Sequence, residues 1–106
     1  MTNRPEERLT EAQIAEGLAR LPGWARASDP TDRIVREFQF ADFVAALGFI
    51  AEVGALAERA NHHPEITNLY GHVRIALWTH DAGGLTARDL RLAEAISARV
   101  PWLRPQ

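Results

Sequence analysis

Ile66-Thr67-Asn68-Leu69-Tyr70-Gly71-His72-Val73-Arg74-Ile75-Ala76-Leu77-Trp78-Thr79 reads as two strands joined by a tight turn. Ile66 to Leu69 and Val73 to Thr79 flank Tyr70-Gly71-His72, where Gly71 is expected to supply the unusual turn dihedrals. Along the second strand Val73, Ile75 and Leu77 face one way, and Arg74, Trp78 and His80 the other. A hairpin pairs its strands antiparallel. Working outward, Trp24 to Ala27 and Ile34 to Phe40 form another strand pair around the turn residues Ser28-Asp29-Pro30-Thr31-Asp32. Ile34, Phe38 and Phe40 share one face there, with Arg36 as the exception.

Three helices separate and flank these pairs. The first begins at Thr10, whose spacing to Gln13 is that of a capping box, with Leu9 placed to staple against Ile14. Ile14, Leu18 and Leu21 keep helical spacing until Pro22-Gly23 stops the element. The second runs from about Ala41 to Asn61. Its apolar positions form two adjoining stripes, one through Phe43, Leu47, Ile50, Gly54 and Ala57, the other through Ala46, Phe49, Val53, Leu56 and Ala60. Together they are wider than the stripe of about 100° that one packing face needs, so a second subunit is the simplest extra neighbour. The third follows Gly83-Gly84, with Thr86 and Asp89 as a capping box and Leu85 facing Leu90, and ends near Arg99.

The order α-β-β-α-β-β-α predicts a two-layer α+β domain: a four-stranded antiparallel sheet with three helices on one face. Arg36, Arg74 and Trp78 are assigned to the opposite face, free to meet solvent or a partner. Residues 1–106 read as a single domain, with 1–8 and 101–106 as tails and Trp102 able to dock.

Composition narrows the function. The chain has no cysteine, so it offers no disulfide framework and no thiolate zinc site. It contains no lysine, and its arginines are scattered, which argues against nucleic-acid binding. No apolar run reaches membrane-spanning length, and Met1 to Glu7 lack the apolar core of a signal peptide. A cytoplasmic location is expected.

The chemistry concentrates in Glu58-Arg59-Ala60-Asn61-His62-His63-Pro64, followed by Tyr70 and by His80 in Trp78-Thr79-His80-Asp81. Three of the four histidines thus gather around one region. Histidine is the side chain most easily moved across neutral pH, which suits proton transfer. Glu58 and His62 are four apart and share a helix face, while Pro64 pushes His63 towards an extended shape. The chain is expected to leave its helix between the two histidines, whose rings then diverge. Three histidines and a carboxylate are also zinc ligands, and a helix end with solvated imidazoles is the plainest alternative. His72, in the turn, is expected to be solvated.

These residues resemble the pterin-4a-carbinolamine dehydratase family. Its pattern has an acidic residue shortly ahead of a His-His-Pro, then an aromatic, another histidine and a later aspartate. Here those positions are Glu58, His62-His63-Pro64, Tyr70, His80 and Asp89, and Phe40-Ala41-Asp42-Phe43 and Gly84-Leu85-Thr86-Ala87-Arg88-Asp89 also look like family segments. The resemblance runs from Leu9 to about Arg99. Two departures stand out: Asn61, where some members carry aspartate, and Ile66-Thr67, where animal members have aromatics.

The resemblance implies removal of water from a 4a-hydroxytetrahydropterin to give quinonoid dihydropterin, as part of tetrahydrobiopterin recycling. The hydroxyl must leave protonated and a ring nitrogen must lose its proton, so an acid and a base are needed, but no metal, nucleotide or other cofactor. By that resemblance His62, His63 and His80 are the catalytic candidates, with His62 and His80 as acid and base in either order. Glu58 is expected to hold protonated His62. Asn61, Tyr70, Trp78, Thr79 and Asp89 are the substrate-binding or supporting candidates, although Asp89 already caps a helix and Trp78 can equally cover the sheet. Partners implied are a pterin and further copies of the chain, as a homodimer or homotetramer. The rival reading is a non-catalytic interaction module, because animal members also serve as a dimerisation cofactor for a transcription factor.

Overall fold

In the computed structural model, which describes residues 7–105, the chain runs α1 (Glu11–Ala19), β1 (Ala25–Ala27), β2 (Arg33–Gln39), α2 (Phe43–Ala60), β3 (Glu65–Leu69), β4 (His72–Leu77) and α3 (Ala87–Ala98). A single 3-10 turn at His80–Ala82 joins β4 to α3. The strands form one antiparallel sheet in the order β1-β2-β4-β3. This is the expected α+β architecture. Much of the expected N-terminal tail, residues 1–6, and the last residue, 106, lie outside the described residues.

Both capping boxes form. The Thr10 amide donates to Gln13 Oε1 at 2.9 Å and the Gln13 amide to Thr10 Oγ1 at 3.2 Å. Asp42 opens α2 by accepting from the Ala45 amide at 2.8 Å. Such caps satisfy amides that a helix start leaves unpaired. The core lies between the sheet and the helices: Ile34, Phe38, Val73, Ile75 and Leu77 meet Ile14, Phe49, Val53, Leu92 and Ile96. Phe38 is wholly buried, 4.7 Å from Phe49 and edge-on to Trp24, so its truncation to Ala costs about 3–5 kcal/mol. Helix α1 approaches α3 so closely that a Cβ on Gly17 would stand 2.6 Å from Leu90.

Arg36 corrects the sequence reading. It has the same parity as Ile34 and Phe38, so it lies on the helix side of the sheet rather than on the outer face. Its guanidinium covers the Phe38 ring at 4.5 Å and donates to Ser97 Oγ and to the Leu103 carbonyl. Leu103 is thereby tied to the core, while Trp102 remains exposed rather than docked.

The β3–β4 turn also differs in its details. Tyr70, not Gly71, adopts positive φ, at 52°. Glycine is needed at 71 for space, since a Cβ there would lie 2.5 Å from the Phe40 carbonyl oxygen. Helix α2 buries Ala46, Phe49, Val53 and Ala57 but leaves Phe43, Val44 and Leu47 at 49%, 76% and 45% exposure. Its second apolar face is uncovered in the single chain.

Candidate active site

The end of α2 sets the site. Asn61 takes the left-handed conformation, with φ 49° and ψ 45°. The Asn61 amide donates to the Glu58 carbonyl, and the His62 amide reaches back to the Ala57 carbonyl at 3.1 Å. This is the Schellman pattern, for which asparagine is one of the few side chains suited. The helix therefore ends at Ala60, ahead of both histidines rather than between them. Reversing the chain at Asn61 sends His62 inward, where it is buried, and His63 outward, where it is exposed. Arg88 reinforces the turn by donating to the Asn61 carbonyl at 2.5 Å and the Ala60 carbonyl at 3.4 Å.

Inside, His62 Nε2 lies 2.5 Å from Asp89 Oδ1. Asp89 is fully buried in the first turn of α3. Its Oδ2 accepts from the Thr86 amide and from the Thr79 hydroxyl, both at 2.9 Å. Thr79 Oγ1 in turn sits 2.8 Å from Thr86 Oγ1, which accepts from the Arg88 amide at 3.2 Å. One proton arrangement satisfies the set: Thr86 donates to Thr79, Thr79 to Asp89, and His62 Nε2–H to Asp89. His62 Nδ1 then carries a lone pair and has no hydrogen-bond partner among the described residues. A carboxylate that fixes one ring nitrogen as a donor orients the other as a proton acceptor.

Asn61, His62, His63, Thr79, His80, Asp81 and Arg88 line a cavity of about 210 Å³. The three histidines expected to act together therefore share one opening. Glu58, expected beside His62, instead meets His63 Nε2 at 2.6 Å, because the left-handed turn carries His62 beneath the helix end and leaves His63 above it. His80 begins the 3-10 turn, its ring 4.8 Å from Trp78, and Arg33 covers Trp78 at 5.8 Å. Trp78 therefore buttresses His80. Tyr70 stands at the far end of β3, on the hairpin tip, away from this cavity. His72 is half-buried in β4 with Nε2 2.7 Å from Glu37 Oε1, not free in solvent. Sequence reasoning missed Thr86 and Arg88; the capping box marked the first, and nothing local marked the second. Among the described residues no three His, Asp or Glu side chains cluster closely enough to hold a metal ion.

An α+β domain whose helix-end imidazole is backed by a buried carboxylate, with two more imidazoles at one opening, has the equipment for acid–base chemistry. The family model for pterin 4 alpha carbinolamine dehydratase matches residues 7–99. The chain is 46% identical over 100 residues to a Rhodopseudomonas palustris protein named "Putative pterin-4-alpha-carbinolamine dehydratase", covering 94% of this chain and 98% of the relative. A Chloroflexus aurantiacus protein of the same name is 53% identical over 89 residues, covering 84% and 92%. The crystal structure of a transcriptional coactivator/pterin dehydratase from Brucella melitensis superposes with a TM-score of 0.82 at 40% identity, covering 87% of this chain and 97% of that one. This chain belongs to the pterin-4-alpha-carbinolamine dehydratase family. A pterin dehydratase-like protein identified as a RuBisCO assembly factor in the alpha-carboxysome shares the fold, with a TM-score of 0.60 at 22% identity over 72% of this chain and 87% of that one.

Proposed function

We propose that this protein is a hydro-lyase that converts a 4a-hydroxytetrahydropterin to quinonoid dihydropterin and water. The observation that carries the reading is the buried Asp89–His62 pair, opening onto a cavity shared with His63 and His80. In the reaction the C4a–O bond breaks, the hydroxyl leaves as water after taking a proton, and N5 loses its proton as the C4a–N5 double bond forms. No electrons are exchanged with a second reagent. His62 accepts the N5 proton through Nδ1, held in that tautomer by Asp89. His80, braced by Trp78, donates to the departing hydroxyl, and His63, tied to Glu58, orients the ring and shares the proton. Each positioned transfer contributes about 10²–10⁴-fold. The reaction serves the recycling of a tetrahydropterin cofactor in the cytoplasm, and the protein works as a homodimer or homotetramer joined through the uncovered face of α2.

That same face favours a second reading, a non-catalytic interaction module, since Phe43, Val44 and Leu47 are open to a partner. Stopped-flow absorbance on freshly generated 4a-hydroxytetrahydropterin separates the two. The dehydratase accelerates quinonoid formation over buffer and loses about 10²-fold or more in His62→Ala and in His80→Ala. A folded wild type no faster than buffer leaves the interaction module in front.

A further inference from the structure

Beside the histidine cavity lies a larger groove of about 450 Å³ between α2 and α3. Leu56 and Leu92 give it an apolar lining, and Arg59, Arg88 and Arg91 line it with guanidinium groups. Among the described residues no acidic side chain lines it. Elsewhere Arg20, Arg26, Arg33 and Arg99 each meet a carboxylate, and Arg36 turns into the core towards Ser97 and the Leu103 carbonyl. Among the described residues Arg59, Arg88 and Arg91 have no ion pair. Three unpaired cations around one apolar groove contrast with a chain whose formal net charge is −2.

Both cavities are lined by His62 and Arg88, so they adjoin across those two side chains. From Arg88 to Ala95 the groove follows α3 for roughly 10 Å, at 1.5 Å per residue. A flat heterocycle held at the histidines would stand next to this groove.

We propose that the groove is a subsite for the pterin side chain, and that it selects side chains that are apolar near the ring and anionic at the far end. This deepens the dehydratase reading and rests on it. The apolar stretch lies on Leu56 and Leu92, and the terminal carboxylate or phosphate is met by Arg59 and Arg91. Guanidinium groups suit both anions because their forked donors match paired oxygens. Arg88 contributes charge at the junction while holding the α2 end through backbone carbonyls.

The test is calorimetric titration of the wild type and of the double variant Arg59→Gln/Arg91→Gln, with folic acid, 6-hydroxymethylpterin and p-aminobenzoylglutamate as probes. Folic acid carries the ring and an apolar arm ending in carboxylates; the second probe has the ring alone, and the third the arm alone. The proposal expects folic acid to bind about tenfold tighter than 6-hydroxymethylpterin at low salt, with the preference shrinking as salt rises. It expects that preference to collapse in the double variant, and the arm alone to bind more weakly than folic acid. Equal binding of the two pterins by the wild type, a preference that survives both substitutions, or an arm that binds as tightly as folic acid overturns the subsite but leaves the pterin reading intact. Failure of both pterins to bind the folded wild type removes the pterin reading and the subsite with it.

Discussion

His62 and Asp89 are 27 positions apart in sequence, yet Nε2 and Oδ1 stand 2.5 Å apart in the interior. Each reaches that point from a helix terminus: His62 from the turn that ends α2, Asp89 from the first turn of α3. The Asp89 carboxylate is doubly employed, one oxygen capping α3 and the other fixing the imidazole. A helix cap therefore sets the direction of the His62 imidazole, and the two roles cannot be separated by simple truncation.

The left-handed turn that delivers His62 makes position 61 sensitive to the backbone. Asn61→Ala is expected to lower stability by about 1 kcal/mol, because alanine pays the full cost of positive φ, whereas Asn61→Gly should be neutral or better. Urea denaturation of the three proteins checks this. An alanine variant as stable as the wild type contradicts the role given to the turn.

Glu58 and His63 form an exposed pair, with side chains 80% and 59% accessible. Their coupling in a double-mutant cycle of Glu58→Gln and His63→Ala should be no more than about 1 kcal/mol in stability. Each change should also slow dehydration by less than the ~10²-fold expected of a principal proton-transfer group. Losses as large as those of His62→Ala would promote His63 to that role.

Away from the site, Arg26 grips Asp32 through Nε and Nη2, both at 2.7 Å, and reaches Glu11 as well. The hydrogen bond from Arg26 is the main cause that lowers the Asp32 pKa below the ordinary carboxylate value. A carboxylate with a depressed folded-state pKa stabilises the fold above its unfolded pKa, and that gain is lost as pH falls through the folded value. Asp32→Asn should thus be less stable than the wild type by about 1 kcal/mol at neutral pH. The gap should close on acidification below the usual carboxylate range near ~4. Thermal melts across pH test the sign; a gap that widens in acid is the wrong one.

The uncovered face of α2 predicts self-association. Leu47→Glu places a charge at the centre of Phe43, Val44 and Leu47, and should reduce the molar mass measured by light scattering after gel filtration. An unchanged mass excludes this face as the contact between copies.

Much of this was legible in the sequence. Alternation in Val73-Arg74-Ile75-Ala76-Leu77 fixed which side of β4 is buried, and the Thr10/Gln13 and Thr86/Asp89 spacings located two helix starts. The gathering of His62, His63 and His80 was also visible. What was not visible depended on backbone direction and on partners distant in sequence. Helical spacing paired Glu58 with His62, but the left-handed Asn61 reassigns Glu58 to His63. Arg36 looked like an outer-face residue because a buried arginine needs acceptors, and Ser97 and the Leu103 carbonyl lie more than 60 positions away. Thr86 and Arg88 carried no signal of their role around the histidines beyond a helix start.

The measurement that bears most directly on the dyad is the stopped-flow dehydration rate of Asp89→Asn beside the wild type, with folded fraction measured in the same samples. Asparagine can still accept from the Thr86 amide and the Thr79 hydroxyl, so the cap can persist. Its amide nitrogen then meets His62 Nε2, forcing the ring proton onto Nδ1, the nitrogen that should accept. A fall of about 10²-fold or more in kcat with the fold retained is the predicted result. A folded Asp89→Asn protein within about twofold of the wild-type rate would contradict the Asp89–His62 assignment.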